Sequence, residues 1–166
     1  LVYAYDHEKG HVVPAWAHHP RQTGFKPTVK VSFDNGTSYI CTPDHECMMY
    51  DGTFKNAEDL KSGDSMMALH REHYDGAVDI ITMTLTSVEL FGDRVVGDLT
   101  VDGYENFATD TIFTHNSRYA DFSEMCYCLA GDTKIATFNG YKTLKELSEQ
   151  YNLDETFYVY AYDHEQ

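Results

Sequence analysis

Residues 29–45 read Val29-Lys30-Val31-Ser32-Phe33-Asp34-Asn35-Gly36-Thr37-Ser38-Tyr39-Ile40-Cys41-Thr42-Pro43-Asp44-His45. Val29, Val31 and Phe33 alternate with polar residues, the period-two pattern of a half-buried strand. Asp34-Asn35-Gly36 then supplies the positive-φ residues of a tight turn, and the chain returns along 38–42, which makes a hairpin. The same grammar extends along the chain. Runs rich in Val, Ile, Thr, Tyr and Phe at 79–89, 94–101, 107–115 and 134–138 are separated by turn signals, and Asn139-Gly140 closes the last as another hairpin. Helical signals are few. Thr143-Leu144-Lys145-Glu146 has capping-box spacing, with Leu144, Leu147 and Tyr151 on one face, and a second short turn is expected over 56–61, stopped by Gly63. The pattern predicts an all-β fold of short antiparallel strands with one or two short helices.

The chain has 166 residues, 42% of them hydrophobic, enough for one domain with a single core. It contains no long apolar run and no secretory signature at its first residues, so a soluble protein without membrane association is expected. A net charge of -15 argues against a broad basic face for nucleic acid. Four cysteines, Cys41, Cys47, Cys126 and Cys128, are too few for a disulfide scaffold and fit a reducing, cytoplasmic setting.

One organisational feature stands apart. Val2-Tyr3-Ala4-Tyr5-Asp6-His7-Glu8 recurs unchanged as Val159-Tyr160-Ala161-Tyr162-Asp163-His164-Glu165. Two copies at this separation do not make a solenoid. A circular permutation with overlapping ends explains them, because the last strand of one segment and the first strand of the other are then the same strand.

Overlaying the copies gives a reconstructed order in which 128–165 is continued by 9–116. Four motifs then fall in sequence. Cys128-Leu129-Ala130-Gly131-Asp132-Thr133-Lys134-Ile135 comes first, and Thr42-Pro43-Asp44-His45 follows the hairpin, with Tyr50-Asp51-Gly52 after it. Gly97-Asp98-Leu99-Thr100-Val101 leads to Asn106-Phe107, and Thr114-His115-Asn116-Ser117 ends the set. In that order the chain resembles an intein, with the horseshoe-like Hint fold shared with hedgehog autoprocessing domains. The resemblance covers all but 117–127 and the extra strand copy. It implies that 1–116 is a C-terminal intein segment, 117–127 an extein-derived linker and 128–166 an N-terminal intein segment, together one Hint domain. The short N-terminal piece is similar to that of the atypically split inteins.

The resemblance implies autocatalytic protein splicing, a single-turnover reaction on the chain's own peptide bonds, and the residue types suit each step. Cys128 would attack the Tyr127 carbonyl and shift the acyl group from nitrogen to sulfur, as a partly ionised thiol can at neutral pH. His45 would protonate the leaving amine, and Thr42 would position the scissile amide or stabilise its tetrahedral oxygen. Asp98 would sit beside Cys128 and exchange the thiol proton; a plain turn carboxylate is the alternative. Ser117 would take the acyl group, Asn116 would cyclise to a succinimide, and His115 would polarise that last bond. An oxygen-to-nitrogen shift then completes a peptide bond. No cofactor and no metal is needed, and the partners are the chain's own flanks, Tyr127 and Ser117, and in a split form the complementary fragment. No insertion lies between the Thr-His motif and Gly97-Asp98, which leaves no room for a homing endonuclease.

Two positions depart from the family pattern. Glu105 stands where a His commonly precedes Asn-Phe, which bears on release at Asn116, and Gly97 stands where a Tyr is frequent. A Hint module silenced by such changes, serving as a binding or structural domain, is the rival reading. Cys41, His45 and Cys47 are close enough in sequence to suggest a metal site, but a structural zinc takes four ligands and no second pair is evident, so the two cysteines read as small buried hydrophobes. His18 and His19 read as part of a long hairpin tip. Both segments are acidic, so strand pairing and apolar burial, rather than opposite charge, are expected to hold them together. A Hint fold has one slot for the repeated strand, which leaves the other copy loose or exchanged in a swapped dimer.

Overall fold

The structure, a computed structural model, describes residues 1–71, 78–116 and 128–150. In chain order the strands are β1 (Val2–Asp6), β2 (His11–Ala15), β3 (Ala17–Phe33), β4 (Ser38–Cys41), β5 (Glu46–Met48) and β6 (Phe54–Asn56). After a single 3-10 turn at Ala57–Asp59 come β7 (Ser65–Arg71), β8 (Val78–Val101), β9 (Asn106–Ala108), β10 (Phe113–His115), β11 (Leu129–Ala130), β12 (Lys134–Thr137) and β13 (Gly140–Thr143). The helix α1 (Leu144–Gln150) follows.

The opening hairpin forms as the sequence dictates. Val29, Val31 and Phe33 are buried, Gly36 takes a φ of 84°, and the Phe33 and Thr37 backbones bond across the turn. Its strands belong to the largest sheet, in which β11, β4, β3, β8 and β7 lie in that order. Because β11 also pairs with β8, the circuit β11-β4-β3-β8 closes on itself around the core. Val31, Tyr39, Leu99, Val101, Phe107, Ile112, Leu129 and Ile135 fill that core. Two four-stranded sheets, β13-β12-β1-β2 and β6-β5-β10-β9, complete the fold.

Three local differences from the sequence expectation have physical causes. Residues 79–89 and 94–101 form one strand, β8, because β3 runs alongside it from Leu85 to Val101 and so spans the interval between them, while β7 pairs with its first part. The interval, Leu90-Phe91-Gly92-Asp93, is absorbed by a register shift at Thr28/Val29 and by Gly92 at a φ of 87°, whose carbonyl accepts the Thr28 hydroxyl at 2.7 Å. Residues 107–115 form two strands, because the Thr109 hydroxyl accepts the Thr111 and Ile112 amides at 3.2 and 3.1 Å and turns the chain between β9 and β10. His18 and His19 lie within β3, half-buried, with His18 opposite Thr100, and so are not a hairpin tip. The capping box is realised in both directions: Thr143 N–H donates to Glu146 at 2.8 Å and Glu146 N–H donates to the Thr143 hydroxyl at 3.1 Å. Leu144 and Leu147 are buried, while Tyr151 lies outside the described residues.

Gly97 is held to glycine by space. A Cβ there would stand 2.5 Å from the Arg21 carbonyl oxygen and 3.2 Å from Leu144 Cδ2, and the first of these is backbone that cannot swing away. Gly97→Ala is therefore expected to destabilise the fold by roughly 1–3 kcal/mol, the usual cost of overpacking. Urea unfolding of a chain blocked at Cys128 and Asn116 measures it; an unchanged midpoint would mean that the strands do not approach so closely.

The first copy of the repeated strand, β1, lies between β12 and β2. The Asn106 side chain fastens it, accepting the Tyr5 amide at 2.7 Å and donating to the Tyr5 carbonyl at 2.9 Å as a neighbouring strand would. The second copy, 159–165, lies outside the described residues. At the end of β1, the backbone amide of Lys9, with that of Glu8, holds the Asp6 carboxyl below its ordinary value of 3.8. The Thr53 hydroxyl and amide do the same for Asp51, and the Thr143 amide and hydroxyl for Glu146, whose ordinary value is 4.5. Each group binds protons less well folded than unfolded, so its contribution is complete above its ordinary value and is lost as pH falls through the depressed one. Asp110, raised by burial, acts in the opposite sense. The urea midpoint of the blocked chain is expected to fall as pH drops below about 4.5, and a midpoint that rose on acidification would contradict the assignment.

Candidate active site

Strand β11 is short, but its two neighbours fix where Cys128 must lie. Leu129 pairs with Cys41 on one side and with Gly97 on the other. Carrying that register one residue further sets Cys128 opposite Thr42 and opposite Asp98. Paired residues of antiparallel strands face the same side, so the three side chains converge. On the Thr42 side the pairing is seen in hydrogen bonds. Thr42 N–H donates to the Cys128 carbonyl at 2.9 Å, and Cys128 N–H donates to the Thr42 hydroxyl at 3.3 Å. That N–H is the amide nitrogen of the Tyr127–Cys128 bond.

Cys128, Asp98 and His45 are fully buried, and Thr42 and Asn116 nearly so. A buried carboxylate needs compensation, and Arg21, opposite Asp98 on β3, supplies it at 3.2 Å. The guanidinium also donates to the Thr100 hydroxyl at 3.2 Å and the His19 carbonyl at 3.0 Å, so it is held from three sides. The Cys128 sulfur lies 3.0 Å from the Thr23 hydroxyl and 3.7 Å from the Lys26 ammonium, both also on β3. Burial and the neighbouring Cys47 thiol push Cys41 well above its ordinary value, which keeps it protonated and inert. Among the described residues, no three His, Cys, Asp or Glu side chains gather so as to hold a metal ion.

The Thr42-Pro43-Asp44-His45 segment is a tight turn closed by His45 N–H donating to the Thr42 carbonyl at 3.0 Å, so the two side chains share one corner. The His45 ring contacts the Thr114 hydroxyl through Nε2. Thr114 belongs to β10, and His115 and Asn116 follow directly. His115 lies between Glu46, at 3.8 Å from Nδ1, and Glu105, at 3.9 Å from Nε2, and both contacts become ion pairs when the ring is protonated. Asn116 N–H donates to the Glu105 carbonyl at 3.1 Å. Glu105 thus touches both His115 and Asn116.

The structure therefore sets Thr42 against the Cys128 backbone with His45 in the same turn, the β11 register carries Asp98 to the other side of Cys128, and His115 ends the strand that meets His45, with Asn116 just beyond it. Ser117 and Tyr127 lie outside the described residues. The spacing of residues did not point to Arg21, Thr23 or Lys26, because they sit in a long strand without a motif and reach the site only through the β3–β8 register. Tyr39, Asn106 and Thr114 lie within or beside quoted motifs, but nothing in their spacing distinguished them.

The family model for the intein splicing domain matches residues 2–116. The chain belongs to the intein family. Its activity is autocatalytic protein splicing. A DnaB intein from Synechocystis sp. PCC 6803 has the same fold, with a TM-score of 0.62 and 25% identity over 70% of this chain and 78% of that one. The DnaX mini intein from Spirulina platensis matches with a TM-score of 0.58 at 19% identity, over 69% of this chain and 80% of that one. A DNA gyrase polypeptide of Synechocystis sp. is 38% identical over 91 residues, 52% of this intein but only 7% of the gyrase polypeptide's length. Among the described residues no helix of the intein is long and apolar enough to cross a membrane.

Proposed function

We propose that 128–166 and 1–116 are the two segments of one intein in reversed order, and that splicing closes the intervening 117–127 into a cyclic peptide. The Cys128 sulfur adds to the Tyr127 carbonyl, the tetrahedral oxygen is stabilised by Thr42, and the Cys128 nitrogen leaves with a proton from His45. Asp98, its charge balanced by Arg21, receives and returns the thiol proton. The Ser117 hydroxyl displaces the sulfur from the acyl group and gives an oxygen ester. The Asn116 side-chain nitrogen then attacks its own carbonyl, His115 protonates the leaving Ser117 amine, and a succinimide remains. The released amine, held beside the ester, takes the acyl group and restores an amide. The products are 1–116, 128–166 and the ring.

The observation that carries this reading is the hydrogen bond from the scissile Cys128 amide to Thr42, at the corner that also holds His45. The Glu105 contacts favour a working release step: a carboxylate beside His115 stabilises the imidazolium that donates to the leaving amine. The reading is tested with two separate polypeptides, one ending in 128–166 after a short flank and one starting at 1–116 before a Ser-led flank. Mixing them is expected to ligate the flanks, and association should not weaken with added salt, because both pieces are acidic and salt screens only their repulsion. Association without ligation would leave a silent Hint module. The slot taken by β1 also admits residues 159–165 of a second chain, a swapped dimer that light scattering would detect and a monomer would contradict.

A further inference from the structure

Tyr39, Thr114 and the Glu46 backbone surround one edge of the His45 ring, and one arrangement of protons makes every one of these contacts a hydrogen bond. The Glu46 carbonyl oxygen can only accept, so the single hydroxyl hydrogen of Thr114 is directed to it at 3.1 Å. The two lone pairs of the Thr114 oxygen must then accept from its other contacts. Tyr39 donates to it at 2.8 Å. The remaining contact is His45 Nε2, which must therefore carry a hydrogen. We infer that Tyr39 and Thr114 are positioning residues that lock His45 as the Nε2–H tautomer, so that Nδ1 is the nitrogen that exchanges a proton with the scissile amide.

This rests on the proposed role of His45 and deepens it. Tyr39 remains a donor at every working pH, because burial, with the Cys47 and Cys41 thiols beside it, pushes its phenol well above the ordinary value of 10.0. All three side chains are buried, so water does not compete for the contacts. The donors and acceptors come from four places in the chain: β4 for Tyr39, the Thr-His turn for His45, β5 for Glu46 and β10 for Thr114. Since Thr114 is two residues before Asn116, the strand that leads to the release residue also sets the proton on the histidine that starts the reaction. Docking of β10 thereby prepares His45.

The test uses the full chain carrying Asn116→Ala, which confines the reaction to the first junction, and follows thiol-induced cleavage between Tyr127 and Cys128. Thr114→Val keeps the shape and removes the hydroxyl, and is expected to slow cleavage roughly 10- to 100-fold, while Thr114→Ser restores it to within a few-fold. Tyr39→Phe is expected to give a smaller loss. In parallel, the 15N spectrum of His45 in the parent chain should show a protonated Nε2 and a bare Nδ1 in the neutral ring. A protonated Nδ1 with a bare Nε2 would overturn the inference even if the valine variant failed to fold, and so would a valine variant as fast as the parent. A parent chain that does not cleave at all would instead defeat the splicing steps assigned above, and the spectrum would still decide the tautomer.

Discussion

Cys128→Ala is expected to abolish thiol-dependent cleavage at Tyr127–Cys128 and all cyclic peptide, a loss of roughly 10³-fold or more, or at least about 4 kcal/mol of barrier lowering. The sulfur is the only atom at that position able to receive the acyl group, and Cys41 and Cys47 cannot replace it. Burial and the Cys47 thiol keep Cys41 protonated, and both cysteines are packed in the core. The substitution deletes one atom from a site lined by Thr23 and Lys26, so the fold should persist with little change in its urea midpoint. What survives is informative. Asn116 retains its own chemistry, so slow cleavage after Asn116 is the one reaction left, giving 1–116 and 117–166. A variant that still yielded 128–166 in the presence of thiol would place the nucleophile elsewhere.

Asn116→Ala should give the mirror result. Alanine has no side-chain nitrogen to attack the backbone carbonyl, and release at Asn116–Ser117 is expected to fall by roughly 10³-fold or more. The first step should continue, because Cys128, Thr42, Asp98 and His45 are untouched. Added thiol would then divide the chain into 1–127 and 128–166. Asn116 is almost fully buried with its amide bonded to the Glu105 carbonyl, so removing the side chain leaves the local backbone anchored. Mass spectrometry of the two variants under denaturing conditions distinguishes the four fragments. Release of 1–116 from the alanine variant at the parent rate would rule out cyclisation.

The parts of this intein that rest on local physics were readable from the sequence. Gly36 and Gly140 mark turns that the backbone makes with positive φ, and Thr143 and Glu146 cap the helix as their spacing requires. Cys128, Thr42, His45 and Asp98 are named from four motifs that resemble those of inteins, and carrying the β11 register one residue further sets Cys128 opposite Thr42 and Asp98. What escaped depends on tertiary pairing. The break expected near 90–93 is bridged because β3 pairs on both sides of Phe91, which the register shift leaves as the extra residue, a condition invisible in the β8 sequence alone. Arg21 and Lys26 belong to no motif, and they reach the site only because β3 crosses it. Gly97 looked like a departure from the family and is instead a consequence of the Arg21 backbone passing 2.5 Å from where a Cβ would stand. Glu105 is similar: in place of a histidine it contacts His115 and accepts the Asn116 amide, two neighbours that spacing did not pair.

The reversed order of the segments is the claim on which the account stands, and intact-mass measurement of the purified chain in reducing, neutral buffer tests it most directly. If Cys128 and Asn116 act across the shared junction, the 19.0 kDa chain is converted to two intein pieces and a cyclic peptide of residues 117–127, with a mass of about 1.35 kDa. The ring weighs one water less than the linear peptide and resists exopeptidases. A chain that kept its full mass, or released residues 117–127 only as the linear peptide, would contradict the account.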